Sequence, residues 1–261
     1  MTAAPAAGRR ARARYARNVA GVAAFLLAWQ ALGMSGLVSW LPPAAGTLGR
    51  TAELAADPEF LAGLGGTLTA AALGLPLAAL IAVPAGLLLG TVPALEEMTR
   101  VFVEFLRPIP SVALIPLALF FIQPELNAEI ALVAFAASWP ILINTLYGVR
   151  DADPLAKDTL RSFGFGRGAV VVWVLLPSAA PFVATGVRLA ASVALILAIS
   201  VEYVVGGSTG IGGFLIQAST GIGMDALIDV IAVLIWSGAI GLAANALLAR
   251  AERRLFRWRQ T

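Results

Sequence analysis

The chain contains no cysteine and no histidine among its 261 residues. Disulfide bonds, thiolate nucleophiles and zinc sites built on cysteine or histidine are therefore excluded, as are serine–histidine dyads and the H-E-x-x-H metalloprotease motif. The single lysine, Lys157, follows Ala156, whereas the ATP-binding P-loop needs a lysine directly after glycine. We therefore expect that the protein is not an enzyme and has neither a cofactor nor a metal site. Any ATP that it uses must be hydrolysed by a partner.

Charged residues are also scarce, at 13% of the chain against about a quarter in a soluble domain. Hydrophobic residues make up 59%, and the mean hydropathy is +0.88. Several apolar stretches approach or exceed the roughly 18–20 residues that cross a bilayer. The sequence therefore predicts an all-α membrane protein with six transmembrane helices, at 19–40, 67–90, 101–122, 130–147, 184–205 and 226–248.

These six stretches form one predicted membrane domain, 19–248, between a basic N-terminal tail, 1–18, and a basic C-terminal tail, 249–261. The first stretch resembles a secretory signal peptide, but its apolar run is long for one, so we interpret it as a spanning helix. Pro108, Pro110 and Pro116 interrupt the third.

The placement of charge predicts the orientation of the helices. If the N-terminus is cytoplasmic, six spans return the C-terminus to the same side. The inner side then holds the basic residues of both tails and of the loop 150–177, together with Arg100 and Arg107. Arg50 alone lies outside, as the positive-inside rule requires. We predict a multi-pass protein of the cell membrane, contacting lipid, with both termini cytoplasmic. Nucleic-acid binding is not expected, because the run "RRARARYAR" offers only Tyr15 for base contacts.

The segment 153–168, "DPLAKDTLRSFGFGRG", is a polar stretch between apolar ones. Asp153 followed by Pro154 is a helix start, since the carboxylate can cap free backbone N–H groups and proline fits the first helical position. Gly164, with Gly166 and Gly168, is predicted to end the helix. One face carries Leu155, Thr159, Leu160 and Phe163. A helix this short is marginal alone in water, so we predict a rigid element offered to another protein, rather than a helix lying on lipid headgroups or a plain connector.

The region around this segment, "GVRDADPLAKDTLRSFGFGRGAVVVWVLLPSAAPFVATGVRLA", resembles the cytoplasmic loop of ABC importer permeases, especially the nitrate/sulfonate/taurine group. The loop signature of that family is E-A-A-x-x-x-G followed by L-P. The matching positions are Asp153-Pro154, Arg161-Ser162, Gly164, Leu176-Pro177, Pro181 and 185–190. "EFLRPIPSVALIPLALFF" and "VPAGLLLG" resemble other segments of the group. The Glu-Ala-Ala of the family is here the bulkier Asp158-Thr159-Leu160.

The resemblance implies a type I ABC importer fold, with a cytoplasmic coupling helix between transmembrane helices 4 and 5. That helix would dock in a groove of a separate ATPase subunit and transmit its closure to the spans. The residues that the resemblance assigns to this docking surface are Asp153, Leu155, Asp158, Thr159, Leu160, Arg161, Phe163 and Gly164.

The resemblance also implies an assembly that drives solute import with ATP. It would contain two ABC ATPase subunits, a second permease copy, most simply as a homodimer, and an extracytoplasmic solute-binding protein docked near 47–64 and 206–225. The substrate would be a small organic or inorganic solute such as a sulfonate, nitrate or a related compound. The alternative is a secondary transporter or channel that works without ATP. Such a protein would usually carry buried acids for ion coupling in several spans, or repeats of inverted topology, and neither is seen.

Charges within membrane spans are the usual indication of a pathway. Glu202 and Tyr203 lie toward the outer end of the fifth span, where Glu202 would form either a gate or an interhelical hydrogen bond. Pro108 and Pro110 would either expose carbonyls to a passing solute or simply kink the third span. The glycine-rich "GGSTGIGGFLIQASTGIG" that follows resembles the outer gate loop of the family, and its glycine content indicates close packing or a re-entrant turn.

Overall fold

The structure is a computed structural model that describes residues 4–206 and 210–256. In these residues the chain is helical and contains no strand. The helices are α1 (Ala4–Ser35), α2 (Ala44–Leu54), α3 (Pro58–Thr91), α4 (Pro93–Leu106), α5 (Ile115–Phe121), α6 (Glu125–Arg150), α7 (Pro154–Ser162), α8 (Arg167–Val170), α9 (Leu176–Val205), α10 (Ile211–Thr220) and α11 (Met224–Leu255). A short 3-10 turn, Ser111–Leu114, precedes α5, and a π-helical turn, Val171–Leu175, joins α8 to α9.

Among the described residues, five helical segments are long and apolar enough to cross a membrane, and the number rises to six if the bent pair α4 and α5 counts as one span. The all-α membrane class is confirmed. Most predicted spans were too short at their ends, because polar and glycine-rich turns of the same helices lie outside the apolar runs. The helix α2 was not predicted at all.

The predicted interruption of the span 101–122 is confirmed at Pro108 and Pro110, whereas Pro116 lies inside α5. The segments Pro93–Leu106 and Ser111–Phe121 meet at 83°. Pro108 and Pro110 lie in the connection between them and are exposed, and neither has the backbone N–H needed to continue a helix. The 14 residues of α4 extend over only about 21 Å, so α4 alone is shorter than the roughly 30 Å hydrocarbon layer.

The chain divides into two compact units, Met1–Asp57 with Gln217–Trp236, and Pro58–Ile216 with Ser237–Thr261. In the second unit α3, α6 and α9 pack together around a core that is rich in alanine, including Ala78, Ala137 and Ala194. Small side chains let helix backbones approach closely, which is the main source of packing energy between helices in a membrane.

Glycines continue this close approach along α3. A Cβ built on Gly86 would lie 2.6 Å from the Cβ of Thr145 in α6, and one on Gly90 would lie 2.7 Å from a methyl group of Val149. Such distances are too short for real contacts, so only glycine allows α3 and α6 to meet there.

The fifth predicted span is part of a longer element. The helical segment Arg167–Val205 runs without a break for 39 residues through α8, the π-helical turn and α9. Four residues separate it from the end of α7, and its last turn contains Glu202 and Tyr203.

The first unit is held together by polar contacts between its helices. The Trp29 indole donates to the carbonyl of Pro42 at 3.0 Å, and the Trp236 indole donates to the carbonyl of Thr51 at 2.8 Å. Arg50 of α2 forms an ion pair with Asp229 of α11 at 2.6 Å. The hydrogen bond to Asp229 raises the pKa of the Arg50 guanidinium.

Candidate functional site

The helix α7 is fixed at its start as the sequence predicts. A side-chain oxygen of Asp153 accepts a hydrogen bond from the backbone N–H of Leu155 at 2.8 Å, and Pro154 occupies the first turn. The cap satisfies one of the backbone donors that a helix leaves free, so the first turn of this short helix is held in one position.

The end of α7 is a complete Schellman motif. The N–H of Gly164 donates to the carbonyl of Arg161 at 2.9 Å, and the N–H of Phe165 donates to the carbonyl of Leu160 at 3.1 Å. Gly164 has φ +80°, a conformation that glycine adopts without the steric cost of a Cβ. The predicted stop at Gly164 is therefore confirmed. Gly166 instead precedes α8, and Gly168 lies inside it.

The two sides of α7 face different surroundings. Leu155 is 72% exposed and Phe163 is 78% exposed, and Thr159 lies on the same outward surface. Leu160, which the sequence assigns to that face, instead packs with Val149 and its buried neighbours at the ends of α6 and α9. The helix thus presents two large apolar side chains outward and is anchored inward through Leu160.

The charges of α7 lie beside the exposed apolar pair. Arg161 and Asp158 form an ion pair at 3.2 Å on the surface of the helix. Because both side chains are well exposed, this pair contributes little to stability and is available to a partner.

A second polar site lies between α3, α9 and the start of α10. The Thr67 hydroxyl is 2.7 Å and 2.9 Å from the two carboxylate oxygens of Glu202. The backbone N–H of Gly212 donates to Glu202 at 2.9 Å, and that of Ile211 donates to the Thr67 hydroxyl at 3.0 Å. Glu202 is only 2% exposed, so this network ties three helices together inside the protein.

Glycine is required where α10 meets Glu202. A Cβ on Gly212 would lie 2.6 Å from the Cβ of Glu202, and a Cβ on Gly210 would collide with its carboxylate. The prediction of close packing for the glycine-rich segment is confirmed at these two positions. Residues 207–209 of that segment lie outside the described part of the chain.

The structure places the remaining predicted residues less centrally. Tyr203, next to Glu202, is 41% exposed. Sequence reasoning missed Thr67, which bonds to Glu202, and also Glu129 of α6, which is buried and whose Oε1 has no hydrogen-bond partner in the described part of the chain. A hydroxyl 135 residues away from its partner gives no local signal.

No group of three potential metal ligands from histidine, cysteine, aspartate and glutamate comes together in residues 4–206 and 210–256.

The binding-protein-dependent transport system inner membrane component family matches residues 74–257, a range that includes α7, its caps and Glu202. The chain belongs to this family. It is the membrane-spanning permease subunit of an ATP-driven ABC importer, and ATP is hydrolysed by a separate subunit. An ATPase and a solute-binding protein are the partners that the family implies, and the permease belongs to the inner membrane.

Similar proteins cover most of the permease. The bicarbonate transport system permease protein CmpB of Synechococcus elongatus is 33% identical over 250 residues, which are 92% of this chain and 88% of the relative. The nitrate import permease protein NrtB of Synechocystis sp. is 29% identical over 245 residues, 90% of this chain and 87% of the relative. The putative aliphatic sulfonates transport permease protein SsuC of Bacillus subtilis is 28% identical over 241 residues, 92% and 86%.

Solved structures share the fold of the permease. The MetNI methionine ABC transporter, in an inward-facing conformation, matches with a TM-score of 0.64 at 20% identity, over 74% of this chain and 94% of that chain. An amino acid ABC transporter with histidines matches with a TM-score of 0.63 at 18% identity, over 76% and 94%. At these identities the likeness shows the fold alone.

Proposed function

We propose that α7 is the coupling helix of this permease and docks in a groove of the ATPase subunit. The observation that carries this proposal is the pair of large apolar side chains, Leu155 and Phe163, that α7 turns away from its own chain. Exposed apolar side chains on a short helix are stabilised when a partner covers them. The proposed docking surface comprises Asp153, Leu155, Asp158, Thr159, Leu160, Arg161, Phe163 and Gly164.

The way α7 is fixed supports its use in transmitting force. Its start is capped by Asp153, its end is closed at Gly164, and Leu160 anchors it to the cluster around Val149 and Val170. Since Val149 belongs to α6 and Val170 to the segment that continues into α9, a displacement of α7 would move both spans. In this proposal Leu160 lies at the inner edge of the docking surface and connects it to the membrane helices.

We further propose that two permease copies, as a homodimer, line the pathway and assemble with two ATPase subunits. Both termini would be cytoplasmic, and the solute-binding protein would dock on the outer side near 47–64 and 206–225. This orientation places the basic loop 150–177 inside, in agreement with the positive-inside rule, and puts Glu202 near the outer end of α9.

The proposed substrate is a small solute of the class to which nitrate, bicarbonate and sulfonates belong. It is supported by the names of three relatives, which are transport permeases for bicarbonate, nitrate and aliphatic sulfonates. A carboxylate in the pathway would repel such anions, but Glu202 is buried and held by the Thr67 hydroxyl and the Gly212 N–H, so it is not open to a passing solute. We propose that Glu202, with Tyr203 beside it, holds the outer gate at α10, and that Pro108 and Pro110 provide the bend beside the pathway.

The docking of α7 can be tested by crosslinking, because the permease has no native cysteine. Phe163→Cys would place one reactive thiol at the end of the proposed surface, and we expect a bifunctional maleimide to join it to the ATPase subunit in the assembled importer. Leu242→Cys is the control, since Leu242 is comparably exposed, at 70%, but lies in the middle of α11.

ATP and vanadate, which trap closed ATPases, should change the crosslinking yield at Phe163→Cys and leave Leu242→Cys unreactive toward the ATPase. If Phe163→Cys captured no ATPase in an importer that still transports, α7 would not be the coupling helix.

A further inference from the structure

A cavity of about 750 Å³ lies on the inner side of α7. It is a partly open cavity bordered by the turn between α3 and α4, the end of α6, α7 itself and the segment that begins at α8. Four basic residues line it, and no acidic residue of the described chain does; the basic residues are Arg150, Lys157, Arg161 and Arg167. The remaining lining is mostly apolar, with Val149, Val170 and Leu175 among it.

The positive charge in this cavity is only partly compensated. Arg150 pairs with Glu96, and Arg161 pairs with Asp158. Lys157 and Arg167 have no ion pair with any described carboxylate. Two cations beside a partly enclosed space attract an anion more strongly than the same charges on an open surface, because there is less water to screen them.

A neighbouring cavity of about 370 Å³ provides a comparison. It is also lined by three arginines, of which Arg100 and Arg107 are not shared with the first cavity, but Glu96 and Glu104 line it as well. Arg100 is paired with Glu104 at 2.8 Å. The second cavity is therefore nearly balanced in charge, and the excess of positive charge belongs to the cavity behind α7.

The surroundings of this cavity are apolar and face outward. Val172 and Trp173, adjacent to the lining residue Val171, are both more than half exposed. Tryptophan is enriched where a protein meets the boundary between lipid tails and headgroups. A ligand that combines a negative charge with an apolar body matches a basic cavity bordered by such a surface.

We propose that this cavity binds the headgroup of an anionic phospholipid of the inner leaflet, with the phosphate at Lys157 and Arg167 and the acyl chains passing along Val172 and Trp173. Basic pockets between helices at the cytoplasmic side bind anionic headgroups in this way. The inference rests on the proposed topology, which puts α7 on the cytoplasmic side. Because Leu155 and Phe163 do not line the cavity, the lipid and the apolar pair of the docking surface lie on different sides of α7, with Arg161 between them, and the lipid holds α7 against the spans.

The experiment measures lipid retention by the purified, delipidated full-length permease in native mass spectrometry. The probe is dioleoylphosphatidylglycerol, and dioleoylphosphatidylcholine is the neutral comparison. We expect Lys157→Gln with Arg167→Gln to weaken retention of the anionic lipid about 30-fold, on the basis of about fivefold for each basic residue near an anionic headgroup. Lys157→Arg with Arg167→Lys keeps both charges and should retain the lipid.

The matched control is Arg100→Gln with Arg107→Gln, which removes the same charge from the neighbouring cavity and should change retention less than threefold. Equal loss in both double variants would indicate nonspecific attraction and overturn the proposal, as would unchanged retention after loss of Lys157 and Arg167, or equal retention of the neutral lipid. Two further results would assign the cavity to another occupant: displacement of the lipid by millimolar inorganic phosphate, which indicates a free-anion site, or by the ATPase subunit, which indicates an acidic segment of that partner.

The variant with Lys157→Gln and Arg167→Gln should elute and melt like the parent protein. The variant with Lys157→Arg and Arg167→Lys, which keeps both charges, is the control for a folding defect. Crosslinking of Phe163→Cys to the ATPase is a separate measurement, so lost lipid retention with intact crosslinking separates this proposal from the coupling proposal.

Discussion

Removal of the Thr67 hydroxyl is the change with the clearest expected loss of stability. Thr67→Val keeps the shape of the side chain but removes a group that donates to Glu202 and accepts from the N–H of Ile211. All three groups are buried, so no water replaces the lost bonds. Bonds to charged groups contribute about 1.5–3 kcal/mol in soluble proteins, and interhelical bonds in membranes average about 0.6 kcal/mol. With two bonds lost together, we expect the permease to lose about 2 kcal/mol of stability.

The free energy of unfolding in detergent, measured by titration with dodecyl sulfate, is the assay for this change. Thr67→Ser should recover most of the loss because it keeps the hydroxyl. Thr69→Val, on the exposed side of the same helix, removes only a hydrogen bond to the Gly65 carbonyl within α3, and should cost less than about 0.5 kcal/mol.

In the assembled importer, Thr67→Val should also raise ATP hydrolysis in the absence of solute-binding protein, because α10 is no longer held to α3. A Thr67→Val permease as stable as the parent protein would show that the network around Glu202 does not fix α10.

Two further predictions concern single glycines. Gly86→Ala should destabilise the permease by about 1–2 kcal/mol in the same titration, because the new methyl group would lie 2.6 Å from the Cβ of Thr145 and overpacking costs about 1–3 kcal/mol. Gly65→Ala is the control and should be neutral or stabilising, because its methyl group meets nothing within 4 Å. Equal effects of the two substitutions would contradict the close approach of α3 and α6. Gly164→Val should cost about 1–2 kcal/mol of stability, because a side chain is unfavourable at φ +80°, and should lower the ratio of solute transported to ATP hydrolysed. Gly164→Asn should keep most of the coupling, because asparagine tolerates this conformation better. Identical ratios for the two variants would show that the turn at Gly164 does not matter for coupling.

The start and end of α7 could be predicted because their signals are local. An aspartate followed by proline caps a helix through a contact two residues away, and Gly164 closes it through bonds to the preceding turn. The membrane class is equally accessible, because it depends on the length of the apolar runs.

The network around Glu202 could not be predicted, because it depends on a partner in another helix. The sequence shows Glu202 as a charge within a span, but the contact with Thr67 crosses 135 residues. Leu160 was placed on the outward face of α7 by helical periodicity alone, and periodicity does not show which neighbouring helix covers an apolar side chain. The bend of 83° between α4 and α5 lies at two prolines that the sequence shows, but prolines predict a break in the helix and not the angle between its two parts.

The unbroken segment Arg167–Val205 gives the permease a long mechanical reach. From Arg167 to Glu202 the helix covers about 52 Å, well over the thickness of the hydrocarbon layer. Over that length, a swing of about 5° about the Arg167 end displaces the Glu202 end by about 4–5 Å, a distance greater than the length of any hydrogen bond that holds α10. If α7 couples to the ATPase as proposed, a small stroke of that subunit would be enough to release α10 without any change in the secondary structure of the protein.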